Sequence, residues 1–477
     1  MSHNTKSQSA LEYLMTYGWA ILVIVIVAAV LYSLGIFSPS SSLSTTITGF
    51  SNLGTVNAVC LGGTSFTISM GDSTGYPINI TQINLTSSSG KTTYSPNILI
   101  QPNSIQTVTV PSSSLCSPGA RYSVSAVISY LEPGQIFPGP YTSTGTVAGT
   151  AASPPSSATS YEPLTITNSQ NQGTPTPFQQ MINVTSSSPG WADISSSPFG
   201  QNVEFFSATG QILDSWLENY TSAHAIWWVK LTSSIPVGSK QIIYMGFAPT
   251  STNLFNTNNV GEAPQLSSTY AEYDDGANTF LYYQRFGGLS SLPNNWSSIS
   301  GTVITYYPMY IEVAAITSST WYGIYMNPIP SSLSSSTTVW EYYGNEYDSK
   351  IAGSAVGIGI GSTNEISYGF LEGDNPPNLV FLDNNNNGFS INTGYYDTND
   401  SKIYTMEIVS GKDVNMYVNY KQIYSTTSAT SASPTYFVIQ SSNNGGTLSS
   451  PITIEWFRLR AYPPNGVMPS VSFGSVS

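Results

Sequence analysis

The chain has 477 residues and a formal net charge of −13, yet only 8% of its residues are charged. Lys plus Arg total 12, too few to build the basic surface a phosphate backbone needs, which excludes nucleic acid as a partner. With 40% hydrophobic residues and 32 Tyr among abundant Ser, Thr and Asn, the composition predicts strands and turns under a polar, weakly charged surface. Such a surface depends little on carboxylate protonation, which suits an acidic medium.

The first element is an apolar run over residues 8–37, QSALEYLMTYGWAILVIVIVAAVLYSLGIF. From Gly18 to Phe37 no residue is charged; at 1.5 Å per residue this predicts about 30 Å of helix, enough to cross a hydrocarbon core. A helix apolar all round must be buried on every side, in lipid or among copies of itself. Pro39 ends it, because proline lacks an N–H and disfavours helix at the residue before it. An ordinary secretory signal has a shorter apolar stretch followed by a small-residue cleavage site, which this run does not match. A plain membrane anchor is the simpler alternative, but it leaves Glu12 unexplained, since a carboxylate near lipid is costly and usually functional.

Lys6, Ser7, Gln8, Glu12, Tyr13 and the apolar run beyond them resemble the class III signal segment of archaeal type IV pilin-like proteins. The resemblance implies that a prepilin-type signal peptidase removes a leader, residues 1–7, between Ser7 and Gln8, although Ser7 stands where the family more often has glycine. It implies a helix over 8–37 that sits in the membrane before assembly and then packs into a helical filament of identical subunits, built by pilus assembly machinery. Glu12 becomes the fifth residue of the mature chain, where that family carries its acid. A buried carboxylate needs a partner, and the new α-amino group of Gln8 on a neighbouring subunit supplies one, making Gln8 and Glu12 the assembly pair.

Beyond Pro39 the pattern changes to short alternating runs such as TSFTISM, IQTVTV and YSVSAVISYL, which predict an antiparallel β-sandwich over 42–150. It contains both cysteines of the chain, Cys60 and Cys116. Outside the cell they can close a disulfide, worth about 4 kcal/mol in the chain-entropy model. Two buried free thiols are the alternative; a metal site would be incomplete with two cysteines and no nearby His. Six N-x-S/T sequons, at Asn79, Asn84, Asn183, Asn219, Asn295 and Asn399, are candidate glycosylation sites. AASPPSSATS, at 151–160, has the composition of an exposed linker.

Pro177-Phe178-Gln179-Gln180-Met181, NVEFFSATGQILDSWLENY, AIWWVKL and IPVGSKQIIYMGF then resemble a β domain of unknown function common in archaeal and bacterial surface proteins, placed here over 161–249. In that family a concanavalin- or laminin-G-like sandwich usually follows, and strand-like segments such as KIYTMEIV, DVNMYVNYKQIY and ITIEWFRLRAY place it over 262–477. The expected fold is therefore an all-β globular region of two or three antiparallel β-sandwich units, the last concanavalin-like, on a long N-terminal hydrophobic α-helix.

A fold of this kind does not supply a ligand. Asp383, Asn385 and Asn387 open a D-x-N-x-N-G calcium loop, but Gly394 stands where a bidentate Glu is required. An Asn-Gly hairpin turn accounts for the same residues more cheaply, so calcium is a marginal candidate and no other cofactor is expected. The pairs Glu272/Asp274 and Glu346/Asp348 lack the third acid of an E-x-D-x-x-E hydrolase strand, and His224 stands alone; no enzyme is predicted. Trp191, Trp296, Trp321 and the Tyr342-Tyr343 pair lie in turn-rich contexts where rings could stack on sugars. The expected function is a cell-surface filament subunit that polymerises through its helix and displays β-sandwiches for adhesion to a glycan or cell-surface ligand. The alternative is a membrane-anchored carbohydrate-binding or carbohydrate-processing ectodomain that does not polymerise.

Overall fold

In the computed structural model the alternating runs all become antiparallel ladders. It describes residues 45–315 apart from 103, and then 322–326, 338–345, 354–359, 366–373, 378–383, 389–396, 400–409, 413–427, 436–441 and 452–476. Residues 1–7, the run 8–37 and with them Ser7, Gln8 and Glu12 lie outside this set. Among the described residues no helix is long and apolar enough to cross a membrane. Two compact units divide between Pro154 and Pro155. The exposed part of the 151–160 stretch begins at Ser153, because Ala151 and Ala152 are buried and their N–H groups bond to Ala120 and Cys60.

The first unit shows how alternation becomes a layer. In strand Arg121–Leu131, Val124, Ala126, Ile128 and Tyr130 face inward while the residues between them face out, as a period of two requires. This strand lies between Tyr141–Thr150 and Ile78–Thr86 in one sheet. A second sheet, Leu53–Leu61 with Ser65–Asp72 and Ile105–Pro111, contributes Phe66, Ile68, Met70, Val108 and Val110 to the same core. Cys60 and Cys116 also belong to that core and are joined as a disulfide across 56 residues. The expected sandwich is present, and of the three readings of the cysteine pair the disulfide is the one found.

The second unit contains two sandwiches. In the first, strands Ile212–Leu213, Val203–Ser207, Lys240–Phe247 and Ser160–Thr167 form one sheet. Phe178–Thr185, His224–Leu231, Ser215–Tyr220 and the parallel Val260–Glu262 form the other. Strand Ser470–Phe473 at the chain's end returns to pair with Ser160–Thr167. The boundary expected at 262–477 therefore shifts: the C-terminal strand completes the preceding sandwich, because it offers the open edge of that sheet its missing hydrogen bonds.

The second sandwich is larger. One sheet runs Thr302–Tyr306, Ile311–Ala315, Ile452–Ala461, Thr338–Asn345, Lys402–Val409, Asp413–Val418 and Lys421–Thr426, with Tyr282–Arg285 also on the Ile452–Ala461 strand. The facing sheet has seven strands among the described residues. Trp340, Tyr342, Tyr404, Met406, Phe437, Phe457 and Leu459 fill the space between them. Trp296 and Tyr342, expected as exposed sugar platforms, belong to this core at 4% and 2% exposure. Their turn-rich contexts misled because burial is decided by the facing sheet and not by neighbours in sequence; Trp321 lies outside the described residues.

Candidate functional site

Strand Ile452–Ala461 is buried on both faces, which sets up the site. Phe457 and Leu459 point into the large sandwich, so Trp456, Arg458 and Arg460, one residue out of phase, point the other way. A guanidinium in that position needs a full set of partners. Register supplies the first, since Glu341 on Thr338–Asn345 lies directly opposite Arg458 and its Oε2 accepts from Arg458 Nε at 2.7 Å.

The remaining partners come from the preceding sandwich, whose sheet with Ser215–Tyr220 and His224–Leu231 presents Trp216, Glu218 and Trp228 on its outer face. Glu218 Oε2 lies 2.7 Å from Arg458 Nη2 and accepts from Trp228 Nε1 at 2.8 Å and from Tyr420 Oη at 2.5 Å. Arg458 also lies over the rings of Phe280, Trp456, Trp228 and Trp216, at 4.6 to 5.4 Å. Burial opposes the charge on both partners here, and each outweighs it in the other. The arginines hold the Glu341 carboxyl below its ordinary value, and the acids with Tyr420 hold Arg458 above its own.

Tyr420 reaches the cluster from a two-residue hairpin turn. Asn419 and Tyr420 both have positive φ, 45° and 63°, between Val418 and Lys421, which pair. This is the geometry of a mirror-type hairpin turn, easy for Asn and costly for Tyr. The Tyr420 hydroxyl, hydrogen-bonded to both Arg458 and Glu218, offsets that cost. Gln179 binds the two sandwiches again, its Oε1 accepting from the Ala461 N–H at 2.9 Å.

Beside this cluster lies a cavity of about 160 Å³ lined in part by Met181, Trp228, Glu407, Tyr417, Tyr420, Arg460 and Met468. Arg460 lies over Trp228 at 5.0 Å, with its Nε 3.1 Å from Glu341 Oε1, and its Nη1 is buried without a hydrogen-bond partner among the described residues. Glu407 accepts from Tyr417 Oη at 3.0 Å. Burial raises its carboxyl above the ordinary value, with Arg460 and the Tyr417 bond pulling the other way. Ring surface, guanidinium donors and an acceptor carboxyl thus meet at one small opening, a combination suited to a hydroxylated ligand.

In the sequence Gln179, Met181, Trp216, Glu218 and Trp228 carried a family resemblance but no binding signal, and Arg458, Arg460, Glu341, Glu407, Tyr417 and Tyr420 were not singled out. The one signal available was the alternation Trp456, Arg458, Arg460 inside an otherwise apolar strand, which places two cations on a face that must be covered. Of the residues singled out there, Asp274 is near this cluster, accepting from Trp216 Nε1 at 3.1 Å and Tyr283 Oη at 3.0 Å. Glu346 and Asp348 lie outside the described residues. His224 is half-buried at a strand start beside Thr221 Oγ1.

Asp383 ends strand Asn378–Asp383 and pairs with Phe389; Asn385 and Asn387 lie outside the described residues. Among the described residues no cluster of three His, Cys, Asp or Glu could hold a metal. Of the sequons, Asn183 and Asn295 are exposed and Asn79, Asn84 and Asn219 half-buried. The side-chain nitrogens of Asn79 and Asn84 donate to Asn97 and Gln82. Asn399 lies outside the described residues.

No protein-family model matches the chain. It is 30% identical over 350 residues to "Uncharacterized protein 562" of Sulfolobus islandicus rod-shaped virus 1, an alignment covering 64% of this chain and 58% of that protein. Among solved structures, the Emp47p carbohydrate recognition domain matches with 12% identity and a TM-score of 0.28, over 38% of this chain and 95% of its own. A Bacillus licheniformis beta-glucanase matches with 13% identity and a TM-score of 0.28, over 38% and 97%. At that level of superposition these likenesses add no argument, and the large sandwich is read from its own strand pairing.

Proposed function

We propose that this protein is a carbohydrate-binding surface protein, without catalytic activity, that takes a neutral sugar or polyol at the cavity between the two sandwiches of its second unit. The observation that carries the reading is the convergence of Tyr417, Tyr420, Arg460 and Glu407 on one cavity. Its volume, about 160 Å³, is below the roughly 300–1,000 Å³ of drug-sized ligand sites and suits one sugar ring. A neutral ligand suits the site because Glu218 and Glu341 already compensate Arg458 and Arg460, leaving neither guanidinium to hold an anion. Binding rather than hydrolysis is favoured because glycoside cleavage uses two carboxyls flanking one bond, and only Glu407 among these three acids lines the cavity. The resemblance of residues 161–477 to surface-protein and concanavalin-like modules supports the same reading.

Titration of the full chain with neutral monosaccharides, followed by calorimetry, tests it. Tyr417→Ala and Glu407→Gln should each weaken binding about tenfold, a loss of one stacked ring or one charge-assisted hydrogen bond. Binding unchanged in both variants refutes the site.

A second reading rests on Lys6, Ser7, Gln8, Glu12 and the apolar run: these modules are carried at the cell surface by a pilin-like helix, in the membrane or in a filament. Sequencing the amino terminus of protein sheared from cells tests it. A terminus at Gln8 supports the pilin-like reading, and polymers that disappear in Glu12→Leu support the filament; retained Met1 refutes processing.

A further inference from the structure

Six exposed large apolar residues, Tyr76, Leu99, Ile105, Ile136, Phe137 and Tyr141, lie at one end of the first unit. Register places them there: Tyr130 pairs with Tyr141, Leu131 with Asn79, Asn79 with Leu99 and Gly71 with Ile105. Asn52, beside the Gly71 end of the second sheet, donates to the Tyr130 hydroxyl. Strands Arg121–Leu131 and Tyr141–Thr150 are joined at this end by residues 132–140, and at the tip Ile136 is 91% and Phe137 78% exposed.

The loop is held in shape. Glu132 N–H donates to the Pro138 carbonyl at 2.8 Å, and Tyr141 Oη donates to the Phe137 carbonyl at 2.6 Å. Tyr141 in turn packs its ring on Tyr130 at 5.7 Å. The opposite end of the unit is where Thr46 pairs with Ala148 and Arg121 with Thr150. The chain thus enters and leaves this unit about 35 Å from the tip, the length of an eleven-residue strand.

We propose that this end of the first unit docks on a lipid surface, inserting Ile136 and Phe137 among the headgroups and acyl ends with Tyr76 and Tyr141 at the interface. The two tip side chains offer at most about 200 Å² each, and the four behind them are only 37% to 53% exposed, so the whole patch comes to no more than the roughly 800 Å² per partner of a stable protein interface. A bilayer asks for no complementary pocket, and entry into an uncharged one scales with the apolar area inserted. Tyrosine, an apolar ring with a polar end, is the residue enriched at membrane interfaces. Among the described residues the cations of the unit, Lys91 and Arg121, belong to its other end, so this end offers no charge for anionic headgroups. This inference is independent of the sugar site, which is in the other unit.

Because Cys60 and Cys116 are bridged, Gln135→Cys gives the full chain one free thiol beside the tip, and Ser153→Cys gives one at the far end. Each is labelled with a polarity-sensitive fluorophore and titrated with phosphatidylcholine vesicles. Expected is a blue shift at position 135 only, insensitive to salt, needing about tenfold more lipid or higher after Ile136→Ser and Phe137→Ser together. No shift at 135, equal shifts at 135 and 153, or a shift that survives the double substitution overturns the proposal. A shift that grows with protein concentration in the absence of lipid also overturns it, in favour of contact between two copies of this chain.

Discussion

Arg458→Leu should be among the most damaging single substitutions in the second unit. The change removes the cation between Glu218 and Glu341, both 1% exposed or less, and leaves Glu218 with only the neutral donors of Trp228 and Tyr420. Breaking a buried ion pair from one side costs about 3–5 kcal/mol. Four rings within 5.4 Å of the guanidinium add on the order of 1–2 kcal/mol of cation–π attraction that leucine cannot replace. The expected loss is therefore about 4–7 kcal/mol, most of it from stranded charge rather than lost attraction. That attribution is itself testable, because Arg458→Leu combined with Glu218→Gln removes one cation with one anion, leaves Glu341 paired with Arg460, and should recover most of the loss. Urea unfolding followed by tryptophan emission reads both variants, with Trp216, Trp228 and Trp456 reporting from inside the cluster. A loss under about 1 kcal/mol for Arg458→Leu, or no recovery in the compensated variant, refutes the reasoning.

Burial pushes the carboxyls of Glu162, Asp275 and Glu455 up to about 7. A raised folded-state value favours folding fully below the ordinary carboxylate range and is lost as pH rises through about 7. The second unit should therefore melt several degrees higher near pH 5 than near pH 8, and the reverse order in calorimetry would contradict the burial argument. Glu341, held below its ordinary value, acts oppositely, its contribution disappearing as pH falls through that depressed value and ending the gain in strong acid. Cys60→Ser with Cys116→Ser should lower the stability of the first unit by about 4 kcal/mol for a closed loop of this length. The transition of the second unit should stay in place, and movement of both would show that the staple acts beyond its own core.

The sequence by itself determined the strands, because a period of two is written locally in runs such as YSVSAVISYL, whose inward residues are the ones buried. It also determined that two cysteines within one sandwich could form a staple, although free thiols stayed open until the structure paired Cys60 with Cys116. It could not determine which faces would be covered. Trp296 and Tyr342 read as surface platforms and are core, while Arg458 and Arg460, within a segment read only as strand-like, are buried. The partners of Arg458 stand 117 residues away at Glu341 and 240 away at Glu218, and no local pattern encodes such separations. Only the docking of one sandwich on the outer face of the next brought Trp228, Tyr420, Glu407 and Arg460 to one cavity, because contact between sheets is fixed by tertiary packing, where side chains compete for a shared interior.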